Sequence, residues 1–461
     1  MSESKRVANM VLSKDPELHD SAALPDVSSP SDVTPDSEAP TSYQRTIYTS
    51  LKAPRFPTNP TFWPLLARAA VPAPNFGYVH DSAGTGSTCA ANVAAFREYR
   101  LKPSMLRNST RRDLSIELFG KRYAHPLLVA PVGVQEIMHR DGEIATAKAC
   151  KNVGVPMILS TAATRTIEQV SEALGADDRW YQLYWPRSEY EDVTASLLKR
   201  AKQSGYDTLV VTLDTFTIGW RPVDLDTSYL PFLWGQGCAI GFSDPVFQKR
   251  LEQALAQDTR TTGEKLSEVR DLLLRSGTPW GALKVLRNLK TLQRSKMWLD
   301  VMNSGTYRDW KDLKVLRQLW GSSPIVLKGI QTLEDAHRAI DAGVDGIIVS
   351  NHGGRQLDGA TASLDALSQI CSDERVRRSK LTVLFDSGIR TGTDVLKALC
   401  LGAKAVLIAR PYMYGLAFGG QEGVEHVLRC LLAELDNGLG QMGKKSLRDL
   451  SRGDLDIRAR L

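Results

Sequence analysis

Residues 324–354 read PIVLKGIQTLEDAHRAIDAGVDGIIVSNHGG. Two apolar runs, Pro324–Gly329 and Gly346–Asn351, enclose the amphipathic segment Thr332–Ala342, which opens on a threonine and stops at Gly343. A short run that is apolar at odd and even positions alike suits a strand buried on both faces, as in a parallel sheet. A Thr start and a Gly stop suit a helix between two such strands. The stretch is one β–α–β unit.

Working outward, the unit repeats. Downstream lie Thr382–Ser387, the helical Thr393–Leu401 before Gly402, and Ala405–Arg410; upstream lie Leu127–Val132, Pro156–Thr161, Trp180–Tyr184 and Thr208–Asp214. Eight evenly spaced strand-then-helix units predict an α/β fold, a (β/α)8 TIM barrel, in preference to a doubly wound open sheet. The rhythm fails once. About a hundred residues, 222–323, separate the fourth strand from the fifth, holding Pro222–Asp244, a helical stretch Pro245–Leu274 and a basic stretch Lys284–Lys296. An insertion of that size after a barrel strand emerges at the C-terminal face, so it is expected to be a lid.

Residues 1–42 are poor in aromatics and rich in Ser, Pro, Asp and Glu, and half of the 22 prolines precede position 75. Such a segment buries too little apolar surface to offset its ordering entropy, so 1–42 reads as a disordered tail and 43–461 as the barrel. Across the 461 residues, 58 Lys plus Arg face 52 Asp plus Glu, without a block of like charge, which speaks against a nucleic-acid partner. The six cysteines form no C-x-x-C pair and have no histidine at metal spacing, so neither a zinc site nor a disulfide framework is expected. Lacking an apolar run of 18 residues or a signal-peptide pattern at Met1–Leu12, the chain is expected to be intracellular and cytoplasmic, with no membrane partner. Its last residues, Ala459-Arg460-Leu461, are a permissible variant of the peroxisomal tripeptide.

Reactive groups of a barrel enzyme sit where strands end. Here those ends read Pro131-Val132-Gly133, Ser160-Thr161, Gln182-Leu183-Tyr184, Thr212-Leu213-Asp214, Lys328-Gly329, Ser350-Asn351-His352, Asp386-Ser387-Gly388 and Ala409-Arg410. The densest is SNHGGRQLDG, Ser350–Gly359. Its paired glycines permit close approach to a ligand, His352 titrates near neutral pH, and Arg355 offers a fork that matches a carboxylate. With Asp214 and Arg221 upstream, the set suits an anionic substrate that loses a proton to a base. The last two strand ends, DSGIRTG (Asp386–Gly392) and Ala409-Arg410-Pro411, occupy the common phosphate position of such barrels. A dinucleotide fingerprint is missing: Gly84-Thr85-Gly86 has Cys89 at the third glycine position and no strand before it.

These motifs resemble those of the FMN-dependent α-hydroxy-acid oxidase and dehydrogenase family, from about Tyr43 to the C-terminus. The inserted segment, with Gly219–Asp226, Leu230–Leu233 and Ser243–Phe247, is similar to that of the family's lactate 2-monooxygenase branch. The resemblance implies FMN as cofactor, a small L-2-hydroxy acid and O2 as partners, and a homo-oligomer, tetramer or octamer. It implies His352 as the base, Asp214 as stabiliser of its imidazolium, Arg221 and Arg355 on the substrate carboxylate, and Tyr78 and Tyr184 on carboxylate and hydroxyl. Hydride would pass to the flavin, with Lys328 stabilising the reduced form. Pro131, Val132, Gly133, Ser160, Gln182, Thr212 and Ser350 would line the ring system and ribityl chain, and Asp386, Gly388, Arg390 and Arg410 the ribityl and phosphate end. The resemblance points first to a lactate 2-monooxygenase, giving acetate, CO2 and water; the alternative is a 2-hydroxy-acid oxidase or dehydrogenase releasing the 2-keto acid, with H2O2 if an oxidase. Ala409 stands where relatives have Gly, and Asp436–Leu439 brings polar residues into a helix that is usually apolar.

Overall fold

The computed structural model describes residues 39–176, 178–303 and 305–457; most of the expected tail and the C-terminal tripeptide lie outside them. Eight parallel strands close a barrel: β1 (Leu127–Val129), β2 (Met157–Ser160), β3 (Arg179–Tyr184), β4 (Thr208–Thr212), β5 (Ile325–Ile330), β6 (Gly346–Val349), β7 (Thr382–Phe385) and β8 (Ala405–Ile408), with β8 pairing back onto β1. All eight expected runs are strands. Most leave the ladder one to three residues before the apolar run stops, because those last residues turn toward the mouth of the barrel. The runs look continuous because both faces are buried. Leu128, Ile158, Trp180, Val210, Val326, Ile348, Leu384 and Leu407 fill the barrel interior, while Leu127, Val129, Leu159, Val211 and Leu327 pack in the larger core formed with the surrounding helices. A hairpin, Ile116–Leu118 with Lys121–Tyr123, closes the N-terminal end by packing Leu118 and Tyr123 against Trp180.

The helices begin where the punctuation indicates. Thr332 caps Leu333–Asp341, and Thr391 caps Gly392–Leu401 with a reciprocal bond to Asp394. The final helix, Arg410–Gln441, passes straight through Asp436–Leu439, and its irregular point is Gly420 instead. Asp436 is tolerated there because Arg112 donates to its carboxylate (Nη2–Oδ2 3.0 Å). The Thr41 amide donates to the same carboxylate (3.1 Å) and the first helix opens at Ser42, so residues 39–42 already belong to the packed body.

The inserted segment is helical and folds onto the barrel. The helical stretch expected over 245–274 consists of two helices, Pro245–Ala256 and Thr262–Arg275, because Thr261 starts a new helix through a capping box with Glu264. Likewise Asn288 separates Pro279–Arg287 from Leu289–Met302, so the basic stretch spans two helices. Trp298 anchors the segment. It is fully buried, stacked edge-on to Phe247, and against Gly241, where a Cβ would come within 2.2 Å of the indole. The segment's last helix, Leu313–Trp320, packs on Glu191–Gln203 and is the barrel's own helix after β4. Among the described residues no helix is long and apolar enough to cross a membrane.

Trp298→Ala removes that anchor. A cavity of this kind costs ~3–5 kcal/mol, expected as a lower denaturant midpoint and as faster proteolysis within 222–312.

Candidate active site

At the C-terminal mouth lies a cavity with about 1130 Å³ of empty space, part of it open to solvent. The loops after β1, β2, β4, β6, β7 and β8 wall it, and Tyr78, Phe232 and Asn303 reach in from outside the barrel strands.

His352 lines the cavity and holds a left-handed backbone (φ +57°), fixed where its amide donates to Ser350 Oγ (3.1 Å). Its Nδ1 lies 2.8 Å from Asp214 Oδ1, although 138 residues separate the two in sequence. Thr215 joins them, its hydroxyl 2.9 Å from the same carboxylate oxygen and 3.1 Å from Nδ1. An ionised carboxylate only accepts, so Nδ1 carries the proton and Nε2 keeps its lone pair. Burial pushes the imidazole pKa below its ordinary value; Asp214 opposes this and Lys328 and Arg221 reinforce it. The ring is therefore neutral at neutral pH, as a base must be.

Lys328 is buried beside it, donating to Ser350 Oγ (2.9 Å) and lying 3.6 Å from Asp214 and 3.4 Å from Asp386. Burial works against its charge, yet the two carboxylates raise its pKa. Asp214 is pulled the other way: burial would raise its pKa, but Lys328 and His352 hold it well below the usual carboxylate range. One fixed cation thus stands at the cavity floor between two anions. Tyr184 also lines the cavity; burial pushes its hydroxyl up to about 12, so it remains a neutral donor.

Four arginines, Arg221, Arg355, Arg390 and Arg410, line the rest. Each is held by backbone carbonyls. Arg221 Nε donates to Arg355 O (3.0 Å), Arg355 to Asp81 O (2.8 Å), Arg390 to Ile389 O (2.8 Å), and Arg410 to Gly353 O (2.9 Å) and Val79 O (3.2 Å). Among the described residues none of the four has a carboxylate within ion-pairing distance. Burial, with Arg221 and Arg410 nearby, lowers the Arg355 pKa to about 9, against a smaller opposing pull from Tyr78 and Asp224. Arg355 also lies 5.4 Å over the Tyr78 ring. Gly388 (φ +91°) shapes the turn among them; a Cβ there would come within 2.4 Å of Asn92 O.

Such a site fits two anions. Arg390 and Arg410 beside Asp386–Gly388 suit a phosphate, and Arg221 and Arg355 beside Tyr78 and His352 suit a carboxylate. Between them run Pro131, Val132 and Gly133, an apolar and backbone wall of the kind a flat ring system needs. Buried Gln182 uses its Oε1 to accept from the Thr161 amide (3.1 Å) but leaves Nε2 without a protein partner, a donor available to a bound group.

The comparisons with known proteins agree. A model of FMN-dependent dehydrogenases matches residues 67–457. The chain belongs to that family. A relative from Penicillium citrinum, an FMN-dependent alpha-hydroxy acid dehydrogenase, is 44% identical over 89% of this chain and 94% of its own length. An L-lactate oxidase from Lysinibacillus sphaericus is 38% identical over 82% of this chain and 88% of its own. A crystal structure of mandelate oxidase with (S)-2-phenylpropionate superposes with a TM-score of 0.67 at 30% identity, covering 88% of this chain and all of that one. FMN is the cofactor, and the chain is an FMN-dependent α-hydroxy-acid oxidoreductase.

Of the residues read from sequence, His352, Tyr184, Lys328, Tyr78, Arg221, Arg355, Pro131, Val132, Gly133, Asp386, Gly388, Arg390 and Arg410 line this one cavity. Asp214, Ser160, Gln182, Thr212 and Ser350 are not among the residues that line it; they sit at or near the strand ends that form its floor. Sequence reading missed Thr215, Ser387, Phe232 and Asn303. Thr215 and Ser387 each follow a singled-out aspartate, a signal that adjacency alone could have supplied. Phe232 and Asn303 carry none, since their place depends on how the inserted segment folds back.

The His352–Asp214 pair sets a pH dependence. Burial holds the His352 pKa below the ordinary imidazole value, so the acid limb of flavin reduction should lie below that of a free imidazole, the rate falling as the ring protonates. In Asp214→Asn the charge that favours the protonated ring is gone, so the acid limb should move lower still while the limiting rate drops. Stopped-flow reduction across pH 4.5–8 checks both, and an acid limb that moved upward would contradict the assignment. His352→Gln should reduce the rate by ~10²–10⁴ with the flavin still bound.

Proposed function

We propose that this flavoenzyme oxidises L-lactate and acts as a lactate 2-monooxygenase, converting lactate and O2 to acetate, CO2 and water. The observation that carries the reading is the pairing of a neutral histidine base with uncompensated arginines, in a cavity that the inserted segment enters through Phe232 and Asn303.

In this reading Arg221 and Arg355 take the carboxylate, each offering donors in fixed planes, with the Tyr78 ring beneath Arg355. Tyr184, neutral, donates to the substrate near its hydroxyl. His352 Nε2 takes the hydroxyl proton, and Asp214 stabilises the imidazolium that forms. The bound FMN supplies the two-electron acceptor for the α-hydrogen. Lys328, charged and buried, favours negative charge developing next to it. Ala162 lines the cavity where a side chain would lie and leaves room for the methyl of lactate.

Phe232 and Asn303 favour retention of the keto acid while oxygen reacts. That is the difference between a monooxygenase and an oxidase or dehydrogenase, which releases the 2-keto acid.

The test is a product balance. Purified holoenzyme given L-lactate in air is expected to yield acetate equal to the lactate consumed, with little pyruvate or hydrogen peroxide. Pyruvate and peroxide in equal amounts would make the chain an oxidase; one pyruvate per bound flavin without oxygen uptake, continuing only when an artificial electron acceptor is added, would make it a dehydrogenase.

A further inference from the structure

Gln356 lies in the same turn as Arg355 but points away from it, and every polar atom of its side chain is engaged. Its Nε2 donates to the Asp214 carbonyl (3.0 Å) and the Thr217 carbonyl (2.8 Å). Its Oε1 accepts from the Gly219 amide (3.2 Å) and from Arg221 Nη2 (2.8 Å). A primary amide has two donor hydrogens and two acceptor positions, so the group is saturated. Only one orientation of the amide works. Turned over, its NH2 would face two N–H donors and its oxygen two carbonyls.

The backbone meets the same loop independently. At Gly219 a Cβ would come within 2.5 Å of Arg355 O and 2.8 Å of Gln356 Cα, so the strand-four loop and the 355–356 turn are in direct contact only because residue 219 has no side chain. Arg221 is thereby gripped twice from one turn, at Nε by the Arg355 carbonyl and at Nη2 by Gln356. Neither partner carries a charge. The guanidinium is aimed without being neutralised, and its full charge is left for whatever anion enters the cavity.

We propose that Gln356 is a positioning residue that sets the plane of the Arg221 guanidinium for the substrate carboxylate, through a neutral partner that leaves the charge uncompensated. The inference rests on Arg221 being a carboxylate-binding group, as proposed above. Gln356 also braces the Asp214 carbonyl, so the experiment separates the two duties.

Three holoenzyme variants, Gln356→Met, Gln356→Glu and Arg221→Met, are compared with the wild type. Single-turnover flavin reduction gives the dissociation constant and limiting rate for L-lactate. Perturbation of the flavin spectrum gives the dissociation constant for oxalate, which needs no turnover. Gln356→Met is expected to weaken both anions about 10-fold through loss of the charge-assisted hydrogen bond to Arg221, whatever loss of its bonds to the Asp214 and Thr217 carbonyls does to the limiting rate. Gln356→Glu places a carboxylate against Arg221 and should weaken both anions at least as much. Unchanged oxalate binding in both Gln356 variants, or a lower limiting rate with a displaced acid limb and unchanged binding, would assign Gln356 to bracing Asp214 alone and overturn the proposal. If Arg221→Met binds oxalate as tightly as wild type, the fault lies in the reading of Arg221 instead.

Discussion

Arg221, Arg355, Arg390 and Arg410 crowd positive charge into one partly enclosed cavity, none of them ion-paired to a carboxylate among the described residues, and the loops at the barrel mouth are arranged around that fact. A buried charge without a counterion is costly, so each guanidinium is tied to carbonyl oxygens, which lessen the cost without cancelling the charge. The carbonyls come from residues 79, 81, 353, 355 and 389, which brings the segment before the barrel and the loops after β6 and β7 to the same place. Binding of an anionic cofactor and an anionic substrate relieves the repulsion. The site is therefore built to be completed by its ligands.

At the floor the opposite arrangement holds. Lys328 lies between Asp214 and Asp386, and Asp214 in turn bonds His352. Here every charge has a partner, which keeps Lys328 protonated where burial alone would discharge it. The same carboxylate that steadies the lysine orients the histidine, so the two functional groups share one anchor. Ser387 extends the cluster, donating to Asp386 (2.7 Å) while accepting from the Gly353 amide (3.0 Å).

A second tier of contacts locks the glycine-rich turn in place. Asn92 and Asn351 exchange reciprocal amide hydrogen bonds of 2.8 Å. Asp358 accepts from the Thr85 and Thr88 amides at the start of helix Ser87–Ala95, so the glycines at 84 and 86 shape that helix start and no nucleotide loop. These ties join chain segments about 270 residues apart. They explain how a turn containing residues with positive φ can hold its shape beside a ligand cavity.

The barrel and most of the site were legible in the sequence, for a physical reason. A strand buried on both faces must be apolar throughout, and a strand end that faces a ligand must break that run with a polar group. Both constraints are local, so β1–β8 and the side chains of His352, Lys328, Arg355 and Arg410 could be picked out by position. The SNHGGRQLDG turn carried the family resemblance, and it was the resemblance that implied the chemistry; the glycines, histidine and arginine by themselves pointed only to an anionic ligand and a base. Tertiary structure decided what the residues do to one another. The pairing of His352 with Asp214 and Thr215, the tying of the arginines to backbone carbonyls, and the grip of Gln356 on Arg221 each join loops that closure of the barrel alone brings together. The inserted segment shows the same limit: its helices follow from caps at Asp244, Thr261 and Thr278, whereas the arrival of Phe232 and Asn303 over the cavity depends on Trp298 burying itself against the fold.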